Sequence, residues 1–206
     1  MEAVLRRQLV AVVGAAGVGS DGVVRAATGT QLAAVLAACS AAGVTVAPDG
    51  PAAAGGAEVL INADRLDAVH VDAGSLLLHA GGACSWLAIR EAAAARRLAV
   101  TGLPSLRSER CGTSVALGEI SHRALAGVDL LTPRGELISA GGRTLKDVVG
   151  YDLAGLALGS GDRLGLIVSV TLRLEPLAAR TPAEPGPGPW RGDHEIAVAV
   201  AAAFTG

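Results

Sequence analysis

Residues 141–176 read GGRTLKDVVGYDLAGLALGSGDRLGLIVSVTLRLEP, and they hold the side chains best suited to work on a bound small molecule. Tyr151 and Asp152 set a phenol beside a carboxylate, and Arg163 offers a fixed positive charge that suits a phosphate. The glycines at 141, 142, 150, 155, 159, 161 and 165 allow positive φ and close approach to a ligand. A turn that holds the last hairpin on its sheet accounts for the same residues, and the residues alone leave both readings open. His122 is a candidate for proton transfer, with a solvated loop histidine as the competing reading.

Other candidates are weaker. His79 and Cys84 could face a metal only if the fold brought further ligands to them, so no metal site is expected. Cys39, Cys84 and Cys111 are far apart, form no CxxC pair and read as small buried hydrophobes. Val12-Val-Gly-Ala-Ala-Gly-Val-Gly-Ser20 imitates a dinucleotide fingerprint after a short apolar strand. The β-branched Val23 and Val24 follow where a helix should start, and no acid closes the unit, so a plain surface loop is expected.

The elements that must position these groups show in the periodicities. Val168, Val170, Leu172 and Leu174 alternate with Ser169, Thr171, Arg173 and Glu175, which predicts a half-buried strand. Residues 28–42 read as a helix: Thr28 and Gln31 have capping-box spacing, Leu32, Val35, Leu36 and Cys39 share a face, and Gly43 suits the C-terminal cap. Strands are expected at 23–26, 44–47 and 59–62. A hairpin is expected over 68–79 around Asp72-Ala-Gly74, then a helix over 85–97, and a second hairpin through the turn Pro133-Arg-Gly-Glu136. Residues 104–116 read as a loop.

Gly142-Arg-Thr-Leu-Lys-Asp-Val-Val-Gly-Tyr-Asp-Leu153, followed by Gly159-Ser-Gly-Asp-Arg-Leu-Gly-Leu-Ile167, closely resembles the carboxyl half of the FAD-binding domain of the vanillyl-alcohol oxidase (PCMH-type) superfamily. The nearest likeness is to the FAD-binding subunits of glycolate oxidase and D-lactate dehydrogenase, which carry GGKTVKxVxGYDL and GSEGTLGIIT segments. The resemblance implies an α+β fold of two lobes, a small βαβ lobe and a larger mixed sheet with helices. It implies FAD contacts from three loops: Gly50, Gly55 and Gly56; Gly112, Thr113 and Ser114; and Gly150, Tyr151, Asp152, Gly159, Ser160, Gly165 and Ile167. The first loop departs from the family's Arg-Gly-Gly-Gly-Thr-Gly type, because Pro51 has no N–H to donate and Asp49 adds negative charge. No histidine lies between residues 48 and 56, so non-covalent and weakened FAD binding is expected.

The division that follows is an FAD-binding-type domain over 1–176, with lobes of about 1–57 and 58–176, and a proline-glycine linker and apolar tail over 177–206. No cap domain of the family's kind is expected from the residues after Pro176, so the implied function is the FAD-binding component of an oxidoreductase acting on a 2-hydroxy acid or similar alcohol. Cap and substrate groups would come from a partner subunit or from self-association through residues 190–206. The competing reading is a relative that has lost FAD and serves as a scaffold or binds another small molecule in the vacated cleft. A net charge of -2 with 17% charged residues leaves no basic footprint for nucleic acid. The longest apolar run, 32–47, is interrupted by Ser40 and Gly43 and is too short to span a membrane. The amino terminus lacks an apolar leader, so a cytoplasmic location is expected.

Overall fold

The computed structural model describes residues 2–48, 56–103, 107–141 and 152–177. The architecture is α+β, in two compact units: Met1–Leu66 with Leu131–Ile138, and Asp67–Leu130 with Ser139–Gly206. The expectations for Gly50, Gly55, Gly150, Tyr151, the Thr181 to Pro189 linker and the 190–206 tail lie outside the described residues.

The first unit is built on a three-stranded parallel sheet of β1 (Val23–Arg25), β2 (Val46–Pro48) and β3 (Val59–Asn62), in the order β1-β3-β2. Between β1 and β2 runs α2 (Gly29–Ala41), preceded in the chain by α1 (Ala3–Val13). The start of α2 follows from its residues. Thr28 Oγ1 accepts from the Gln31 amide at 3.1 Å, and Gln31 Oε1 reaches back to the Ala27 amide at 2.8 Å. Leu32, Val35, Leu36 and Cys39 form its buried stripe, and Gly43 ends it at φ +66°. The apolar run before Gly14, expected as a strand, is instead the last part of α1. Leu5 and Leu9, four residues apart on one helix face, are its buried residues.

The second unit carries β4 (Val69–Asp72), β5 (Leu77–Gly81), α3 (Trp86–Ala94), β6 (Leu98–Val100), α4 (Cys111–Ala116), β7 (Leu125–Leu131), β8 (Leu137–Gly141), α5 (Leu153–Ala157) and β9 (Leu166–Pro176). Its sheet runs β4-β5-β9-β7-β8, with β6 also paired to β9. The β4–β5, β5–β9 and β6–β9 pairs are antiparallel. On β9 the alternation works as read, since Val168, Val170, Leu172 and Leu174 are all buried. Three elements depart from the expectation. The helix over 85–97 stops at Ala94, and Arg97 turns at φ 57° into the unforeseen β6. The loop over 104–116 contains α4, and α5 follows Asp152. Among the described residues no helix is long and apolar enough to cross a membrane.

The hairpin tip, whose turn contains Gly135, belongs to the first unit and packs on α2. Gly135 has φ +81°, and a Cβ there would collide with the Ala33 carbonyl of α2. Gly135→Ala is therefore expected to destabilise the protein by more than about 1 kcal/mol, read as a lowered urea midpoint. An unchanged midpoint would show that the tip does not rest on α2.

Candidate cofactor site

The described site residues of the second unit gather around a backbone crossing with no room for side chains. A Cβ on Gly82 would strike the Ile167 carbonyl, and one on Gly112 would sit 2.7 Å from the Gly82 carbonyl oxygen. Gly112 donates its amide to that oxygen at 2.9 Å, while the Cys111 amide donates to the Cys84 carbonyl at 3.0 Å. Glycine at both positions thus lets β9, the end of β5 and the start of α4 pass in contact. Cys111 Sγ is 3.1 Å from the Gly81 carbonyl oxygen, and burial first, then the neighbouring Cys84, pushes its thiol up to about 12. It is held as a thiol and is not a nucleophile.

Behind the crossing lies a polar chain that no motif announced. The Trp86 indole N–H donates to Ser114 Oγ at 2.8 Å, and Ser114 Oγ donates to Glu119 Oε2 at 3.1 Å. Ser108 closes the chain, its amide and hydroxyl each reaching a Glu119 carboxylate oxygen at 3.0 Å. Burial alone would raise Glu119, but the hydrogen bonds from Ser108 and Ser114 outweigh it and hold the carboxyl below its ordinary range. Ser114, fully buried, is therefore occupied in joining α3 to α4, while its neighbour Thr113 is exposed. The indole and the carboxylate are far apart in sequence, so only the fold makes them partners.

On the other side of α4 lies the glycine turn after α5. Gly159 donates to the Val115 carbonyl at 2.9 Å, Gly161 to Ala116 at 2.8 Å and Ser160 to Ala157 at 3.2 Å. Positive φ at Gly159 (+82°) and Gly161 (+59°) makes this path possible. Gly165, at φ 149°, turns the chain into β9, whose Ile167 is buried. Asp152 caps α5 by accepting from the Gly155 amide at 2.9 Å, and its other oxygen meets His122 Nε2 at 2.6 Å. Against the effect of burial, those two bonds and the charges of His122 and Arg173 hold the Asp152 carboxyl below its ordinary range. The pair is open to solvent, with side chains 62% and 60% exposed. Arg173 Nη1 draws in the carbonyls of His122, Arg123 and Leu125, which fixes the segment that carries the histidine.

The second and third predicted loops are thus adjacent, Gly112, Thr113 and Ser114 on α4 against the turn of Gly159 and Ser160. Gly56 belongs to the first unit, after the loop that leaves the carboxyl end of β2. Its φ is +110° and a Cβ there would meet nothing within 4 Å. The carboxyl edge of a parallel sheet is where open α/β folds receive ligands, and Gly56 is the described glycine of the first predicted set. The amides of Gly112, Gly155, Gly159, Ser160 and Gly161 fit a diphosphate poorly, since each already donates within the chain.

No protein-family model matches the chain. Over 63 residues, 31% of its length, the chain is 40% identical to an uncharacterized FAD-linked oxidoreductase of Mycobacterium tuberculosis strain CDC 1551 / Oshkosh, and equally to one of strain ATCC 25618 / H37Rv. The match spans 14% of the length of those relatives. Its fold is similar to that of a variant of Phl p 4, a glucose dehydrogenase, with a TM-score of 0.59 and 16% identity over 75% of this chain and 34% of that one.

Glu119 supplies a check on the polar chain. Its folded-state pKa is lowered, so its contribution is fully present above the ordinary value of 4.5 and is lost as the pH falls through the lower folded value. Glu119→Gln is expected to lower stability at neutral pH by about 1–3 kcal/mol, with the gap to the parent closing as the solution is acidified below 4.5. Denaturant unfolding across that range checks it, and a gap independent of pH would contradict the assignment.

Proposed function

We propose that the chain is the FAD-binding component of an oxidoreductase acting on a 2-hydroxy acid or similar alcohol, within the vanillyl-alcohol oxidase type of flavoprotein. The observation that carries this reading is the 63-residue stretch 40% identical to proteins named FAD-linked oxidoreductases. The fold shared with a glucose dehydrogenase is compatible with it. In this reading Gly50, Gly55 and Gly56 receive the diphosphate, held without a covalent bond, and Gly150 and Tyr151 line the flavin. A bound flavin would supply the hydride acceptor. The chain itself would supply proton handling: with Nε2 donating to Asp152, His122 keeps Nδ1 as a base for a substrate hydroxyl, and the carboxylate steadies the imidazolium that forms. Substrate-holding groups would come from a partner or from segments outside the described residues.

A second reading, an FAD-free relative, is favoured by the internal engagement of the amides of Gly112, Gly155, Gly159, Ser160 and Gly161. The two readings separate in an FAD titration of the parent and of the double variant Asp49→Gly, Pro51→Gly, followed by flavin fluorescence. Restoring an amide donor and removing a like charge beside the diphosphate should tighten FAD binding. Absence of binding to either protein would leave the FAD-free reading standing.

A further inference from the structure

We propose that His70 and His79 form the protein half of a binding site for a divalent transition-metal ion, with water completing its coordination. They are directly opposed on the antiparallel strands β4 and β5, so both side chains leave the same face of the sheet. Their rings lie 6.5 Å apart, centroid to centroid, and are inclined by only 21°. Among the described residues β4 is the edge strand of its sheet, and His70 is exposed.

A second feature prepares one ring for ligation. Thr171, the register partner of His79 on β9, has its hydroxyl 3.0 Å from His79 Nδ1. An outer hydrogen bond on one ring nitrogen orients a metal-binding histidine and leaves the other nitrogen to the ion. With Nδ1–H donating to the Thr171 hydroxyl, His79 Nε2 keeps the lone pair that an ion needs, and His70 supplies the second imidazole. An ion would sit about 2.0–2.1 Å from one nitrogen of each ring, with the exposed His70 turning to meet it. Among the described residues no group of three or more His, Cys, Asp or Glu side chains could hold a metal together. The site is therefore a two-imidazole clip, open to water on its remaining positions. Neutral imidazole suits copper, nickel and zinc, and the general order of affinity places Cu²⁺ first.

The test is titration of the full chain with Cu²⁺, and in parallel with Zn²⁺, followed by calorimetry and, for copper, by the nitrogen coupling in its electron paramagnetic resonance. One ion per chain, coupled to two imidazole nitrogens, is expected. H70Q and H79Q should each reduce binding to the level of the H70Q/H79Q double variant, while H122Q leaves it intact. T171V, which keeps the strand residue's shape but removes the hydroxyl, should weaken binding by about tenfold or more. Equal binding by the parent and the double variant, or loss with H122Q but not with H70Q, overturns the site. Unchanged affinity in T171V overturns the orienting role of Thr171.

Discussion

The pairing of β9 on both of its edges is the constraint on which the second unit depends. β5 and β7 flank it, and β6 joins it near its carboxyl end. The period of two that turns Val168, Val170, Leu172 and Leu174 into the core turns Ser169, Thr171 and Arg173 to the opposite face. Each of those three makes a specific contact there. Ser169 bonds Asp129, Thr171 meets His79, and Arg173 gathers the carbonyls around His122. A slip of one residue would bury these polar groups and expose the valines and leucines, so register and polar chemistry are set together. At the head of β9, the Ile167 carbonyl leaves space only for glycine at position 82.

How far the fold is legible in the sequence depends on whether the deciding information is local. Strand β9 is readable because strict alternation persists over many residues, and α2 because its cap and apolar stripe agree. The end of α1 misleads because its last residues are a bare apolar run, and only the Leu5 to Leu9 spacing reveals the buried face. Helix α4 offers still less: Gly112, Thr113 and Ser114 are poor helix formers, and the helix is held by pairing with the Gly82 and Cys84 carbonyls. Within the site, the glycine turn can be located from sequence but the direction of its amides cannot. Partnerships such as Trp86 with Ser114, and His70 with His79, exist only once the strands and helices have met.

Two carboxylates show how placement separates roles of like chemistry. Glu119 is half-buried and bonded by Ser108 and Ser114, and it ties the chain before α4 to the helix itself. Asp152 is open to solvent, and its second oxygen orients an equally open histidine. The first is suited to holding structure and the second to orienting the histidine beside it. Cys111, pushed up to about 12 and hydrogen-bonded to a carbonyl, takes part in neither.

The proposed function turns on whether this chain holds a flavin. Its most direct test is gel filtration of the protein through a column equilibrated with FAD, followed by visible absorption. Flavin absorbance above the column background is expected to travel with the protein and to be lost when the protein is denatured, as a non-covalent complex requires. A protein peak with no flavin above a saturating background would contradict the proposal.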